Sequence, residues 1–97
     1  MLTSKQRAYL RAMANDIQPI FQIGKLEIGD NLGGELLAAL EARELIKISV
    51  LQSVDTPARA ICDSLVSLTG AEPVQCIGRR IVLYKPSKEN KKIELPR

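Results

Sequence analysis

The chain has 97 residues, 45% of them hydrophobic, with 14 lysines and arginines against 11 acids and no histidine. That length and apolar content suit one domain with its own core and argue against a disordered tail, and no apolar run approaches the ~20 residues of a membrane-spanning helix. Without histidine, and with Cys62 and Cys76 outside any CxxC pair, neither a zinc site nor a histidine-based acid–base enzyme is expected.

In chain order, Thr3 or Ser4 can cap a first helix running to about Asn15, with Ala8, Leu10, Met13 and Ala14 as a ragged apolar stripe. Arg7 and Arg11 stand one turn apart on a shared face. Ile20-Phe21-Gln22-Ile23 reads as a short strand that Gly24 ends. Asp30 or Asn31 can cap a second helix to about Arg43, with Leu32, Leu36, Leu37 and Leu40 as its buried stripe. Gly33 and Gly34 in its first turn mark either a close packing contact or a weak helix start.

Ile46–Val50 alternates with period two, as a half-exposed strand does. Asp55 or Thr56 then caps a third helix with Pro57 at its first position, a stripe of Ala58, Ile61, Cys62, Leu65 and Val66, and Gly70 as its stop. Both cysteines fall on apolar positions and read as core thiols. Val74–Ile77 and Ile81–Tyr84 read as a hairpin, with Gly78 supplying the positive φ of a tight turn. The order αβαβαββ implies an α/β fold: one mixed four-stranded sheet, parallel neighbours within the strand–helix–strand units, and helices packed on its faces. Residues 86–97 read as a loosely ordered basic tail after a domain spanning 1–85.

Charge is unevenly spread. Residues 1–15 hold Lys5, Arg7 and Arg11 without an acid, and 79–97 hold seven bases against Glu89 and Glu94, whereas 16–78 hold four bases and nine acids. If folding gathers the basic ends, a small net charge becomes a strong local field. The loop opening at Gly24-Lys25 leads into a helix start, where backbone N–H groups beside a lysine form a phosphate cradle.

The segments LTSKQRAYLRAMA, PIFQIGK, LLAALEARELIKISV and VQCIGRRIVLYKPSKENKKIELPR resemble the CRM domain (chloroplast RNA splicing and ribosome maturation) in its bacterial stand-alone form, over nearly the whole chain. The resemblance implies a fold similar to the C-terminal domain of translation initiation factor three. It also implies RNA binding and association with precursors of the large ribosomal subunit. The family's GxxG loop is expected at Gly24, Lys25, Leu26 and Glu27, where this chain departs from the pattern because Glu27 replaces the second glycine. Glu27 offsets the attraction of Lys25 for a phosphate about 7 Å away, roughly 0.6 kcal/mol in water. A left-handed backbone at that position would add ~1–2 kcal/mol of strain.

The expected function is therefore RNA binding in ribosome assembly. The expected contacts are the loop together with Lys5, Arg7, Arg11, Arg79, Arg80, Lys85 and Lys88. With Tyr9, Phe21 and Tyr84 as the only aromatics, recognition should rest on backbone charge and RNA shape rather than base stacking. The alternative is a protein-interaction adaptor that docks a basic ribosomal protein through Glu35, Glu41, Glu44, Asp55, Asp63 and Glu72, although a solubilising acidic face explains these residues more simply. No cofactor, metal, membrane partner or catalysis is expected, and the N-terminus has no signal-peptide pattern. We expect a cytoplasmic monomer.

Overall fold

A computed structural model describes residues 2–24, 30–52 and 54–96. Helix α1 (Ser4–Ala14) starts at a capping box: Thr3 Oγ1 accepts from Gln6 N–H, and the Gln6 side chain accepts from Thr3 N–H. Strand β1 (Phe21–Ile23), helix α2 (Asp30–Arg43), strand β2 (Leu45–Val50), helix α3 (Ala58–Thr69), strand β3 (Glu72–Ile77) and strand β4 (Arg80–Tyr84) follow. The loop over 25–29 lies outside the described residues.

The sheet order is β1-β2-β4-β3. β1 and β2 are parallel neighbours, as their strand–helix–strand connection implies. The second such unit departs from the expectation of adjacent parallel strands, because β4 inserts between β2 and β3 and pairs antiparallel with both. Gly78, at φ 56°, makes the β3–β4 turn.

Both faces of the sheet are covered. Ile23, Ile46, Ile48, Val50, Ile81 and Leu83 pack under α2 and α3, against Leu36, Leu40, Ile61, Cys62 and Leu65. The opposite face sends Leu45, Val74, Val82 and Tyr84 against Leu2, Leu10 and Ala14 around α1 and against Ile93 of the C-terminal segment. β2 is therefore not half-exposed: it is central, and five of its six residues are buried. Cys76 is half-buried at the edge of the first core rather than inside it.

Local details refine the helix readings. Leu37 is 38% exposed and leaves the expected stripe of α2, whose buried face runs through Gly33, Leu36 and Leu40 instead. Gly33 is the close packing contact, because a Cβ there would sit 3.0 Å from Leu68 Cγ on α3, while Gly34 faces open space. Pro57 is the N-cap of α3 rather than its first helical residue, and no side chain bonds the helix start. Gly70 ends that helix in the left-handed conformation, φ 74°, as its position suggests.

The segment after β4 is extended but tied down, not a loose tail. Glu41 accepts from Ser87 Oγ, Lys88 N–H and Glu89 N–H, and Glu44 accepts from Ser87, Lys92 and Ile93 N–H. Gln6 Nε2 donates to Pro96 O, which fastens the far end to α1.

Candidate nucleic-acid interface

Strand register decides which basic residues meet. Gln22 pairs with Ser49, Ser49 with Arg80, and Arg80 with Ile77, so the ends of β1 and β2 and the β3–β4 turn share one end of the sheet. Val50 N–H donates to Arg79 O, and Leu51 N–H donates to Ile23 O, the carbonyl just before Gly24. Gly24, which is buried, and the Arg79–Arg80 turn therefore flank the same two residues, about 10 Å apart across two strand spacings. Lys25, Leu26 and Glu27 follow Gly24 and lie outside the described residues.

The two arginines of the turn do different work. Arg79 is half-buried, and its Nη1 donates to Leu51 O (3.0 Å) and Val54 O (3.2 Å), holding the turn between β2 and α3. Arg80 is exposed, and its Nη1 donates to Ser49 Oγ at 3.0 Å, which lays the guanidinium along the sheet. A guanidinium carries five N–H donors, so this contact leaves most of the fork for another acceptor.

Arg7 donates from Nε to Pro73 O on β3. Arg11 is exposed and lies one turn further along the same face of α1. Gln6, bonded to the C-terminal segment, marks the other flank of the helix, and Arg11 sits about 140° around from it. Pro73 pairs with Leu83, so Arg7 meets β3 toward the Tyr84 end, and Arg11 follows it one turn along α1.

The remaining sequence-predicted residues are elsewhere. Tyr84 pairs with Leu45, four residues and about 13 Å along β4 from Arg80. Lys85 follows at that far end, where its Nζ donates to Thr69 O (2.8 Å) at the C-terminus of α3, a favourable place for a cation. Lys88 is exposed on the tied segment above Glu41. Lys5 is exposed on the first turn of α1, whose start is bound to Glu72 through Leu2 N–H.

The far end is governed by carboxylates. The Ser87 hydroxyl, then the Lys88 and Glu89 N–H groups, hold Glu41 down at about 2 against an ordinary 4.5. Burial pushes Glu44 upward, but the Ser87, Lys92 and Ile93 N–H groups and the Lys91 charge outweigh it, leaving a net downward shift. Three of the six acids assigned to an adaptor face, Glu41, Glu44 and Glu72, are thus committed within the fold. Sequence reading missed this role, although a charged residue directly after a helix, where glycine is usual, was an available signal: Glu44 has φ 66°.

Among the described residues, no group of three or more His, Cys, Asp or Glu side chains is arranged to hold a metal ion, and no helix is long and apolar enough to cross a membrane. Burial, then the neighbouring Cys76 and Asp63, raise Cys62 to about 11, so it stays a thiol at neutral pH.

The chain's relatives agree with the fold. The solution structure of the Staphylococcus aureus protein SAV1595 is 50% identical, covers 99% of this chain and 100% of its own, and matches with a TM-score of 0.81. A Bacillus subtilis protein named "Probable RNA-binding protein YqeI" is 51% identical over 96 residues, covering 99% of this chain and 100% of that protein. A Haemophilus influenzae protein named "RNA-binding protein" is 35% identical over 96 residues, covering 99% of this chain and 96% of the relative. The CRS1/YhbY (CRM) domain model matches residues 2–85, and this chain belongs to that family.

Proposed function

We propose that the protein is a non-catalytic, monomeric RNA-binding module that associates with precursors of the large ribosomal subunit and acts in ribosome assembly in the cytoplasm. The observation that carries this reading is the meeting of Gly24 with the Arg79–Arg80 turn at one end of the sheet. A basic side chain there lies at the same sheet end as Gly24, where the chain leaves β1 before α2, and cations gathered in this way suit a phosphate backbone. Lys25 is the proposed loop contact, Arg80 the proposed turn contact and Arg11 a further proposed contact on α1. The names of the relatives support RNA as the ligand class. Residues 1–85 are the proposed binding domain, with the C-terminal segment closing its second core.

Crosslinking in cells with mapping of the attached nucleotides tests the reading. Enrichment within large-subunit RNA precursors is expected, with purified protein binding the mapped fragment less tightly as salt rises. Crosslinks no denser than background across that RNA refute the ribosomal role.

A further inference from the structure

The face of the sheet beneath α1 is apolar for only part of its area. Its core residues are Leu45, Val74, Val82 and Tyr84. By alternation, Gln22, Lys47, Ser49 and Arg80 point to the same side, and none of them belongs to that core. Gln22, Ser49 and Arg80 form one row across three strands, and Lys47 stands on the diagonal from Arg80, about 7–8 Å away. The strip thus joins two cations to two neutral hydrogen-bonding groups, without an acid.

We propose that this strip is a second contact for the sugar–phosphate backbone of RNA, continuous with the Gly24 end. The proposal rests on the RNA-binding reading above and extends it to Gln22 and Lys47, with the buried Ser49 positioning Arg80. Three observations carry it. Arg80 is held along the strip by Ser49 Oγ, so its charge is positioned before any ligand arrives. Gln22 and Arg80 are exposed, Lys47 is half-buried and only Ser49 is buried among these four, so the first three are reachable from solvent. Among the described residues, no carboxylate forms an ion pair with Lys47 or Arg80. A polyanion is the occupant this charge pattern fits, while the neutral Gln22 amide suits phosphate oxygens or ribose hydroxyls.

The test uses the full chain and a structured large-subunit RNA fragment, with affinity measured by fluorescence anisotropy from low to moderate salt. Lys47→Gln is compared with Lys91→Gln, which makes the same charge change on the C-terminal segment at the opposite end of the sheet. Lys47→Gln is expected to weaken binding roughly fivefold at low salt and to lower the slope of log affinity against log salt by about one, while Lys91→Gln leaves both unchanged. Because Lys47 is half-buried, Gln22→Glu serves as a second variant at an exposed position, with thermal melts confirming the fold; it should weaken binding by a similar factor. Parent-like binding by both strip variants overturns the inference and leaves the RNA-binding reading standing. Equal weakening by Lys91→Gln also overturns it, by reducing the effect to overall charge. Failure of the parent chain to bind RNA at low salt overturns both.

Discussion

The two ends of the sheet use charge in opposite ways. At the Gly24 end, cations are anchored by neutral oxygens: Arg79 by two carbonyls and Arg80 by a hydroxyl. At the Tyr84 end, carboxylates are anchored by backbone N–H groups, and the lysine-rich segment supplies those donors. On residues 86–96, Lys88, Lys91 and Lys92 face Glu89 and Glu94 along the chain and Glu41 and Glu44 beneath it, three cations against four carboxylates. A run that looks basic in sequence is therefore close to neutral where it folds. The side-chain partners of the shorter Arg79–Arg80 turn are instead neutral oxygens, which leave its charges in place.

The largest test of this contrast is Glu44→Ala. It removes the acceptor for three backbone N–H groups, and unfolding should become easier by about 2–4 kcal/mol in a urea titration, since each buried donor left unpaired costs ~1–3 kcal/mol unless the segment detaches into water. Amide exchange would show the mechanism: Ser87, Lys92 and Ile93 should lose protection while β2 and β4 keep theirs. Glu44→Gly should lose less, because glycine relieves the positive φ as it removes the carboxylate. Equal loss in the two variants would show that the backbone strain is unimportant.

Next in size, Arg79→Ala should destabilise the fold by about 1–3 kcal/mol, from loss of charged hydrogen bonds to Leu51 and Val54, whereas Arg80→Ala should change stability by less than about 1 kcal/mol and chiefly lower RNA affinity. The reverse ranking in melts and binding assays would exchange the roles assigned to the two arginines.

Acid should release the Tyr84 end. Glu41 titrates near 2 in the folded chain and near 4.5 without its partners, so its contribution is fully present above about pH 4.5 and is lost as pH falls toward 2. The Lys88 and Glu89 amide resonances should move in that window, and unchanged shifts down to pH 2 would remove Glu41 from the clamp.

The smallest expected effect separates two adjacent glycines in α2. Gly34→Ala should stabilise the chain by up to ~1 kcal/mol through helix propensity, and Gly33→Ala should gain less or lose, because its new methyl meets Leu68. Equal melting temperatures for the two variants would show that α2 and α3 are free to move apart.

Much of this was legible beforehand. Leu10, Leu36, Leu40, Ile61 and Leu65 announce their burial through helical spacing, and Gly70 and Gly78 announce their turns, because those signals lie within a few residues of one another. The exposure of Leu37 and the burial of alternate positions in β2 were not legible, since each depends on what covers the other side. Of the candidate contacts, the meeting of Gly24 with Arg79–Arg80 could be suspected only as charge at distant positions. The separation of Lys85 and Lys88 from them follows from β4 running antiparallel to β2, which carries the residues after Arg80 away from the Gly24 end.

Local pattern alone determined the seven elements and their order, because periodicity, caps and turn residues act over short stretches of chain. Tertiary structure alone decided the insertion of β4 between β2 and β3, the closure of the second core by the C-terminal segment, and the division of the basic residues between two ends. Those outcomes depend on contacts between residues some thirty to ninety positions apart, and the hydrogen bonds of Lys92 to Glu44, of Arg80 to Ser49 and of Gln6 to Pro96 exist only once those contacts are made.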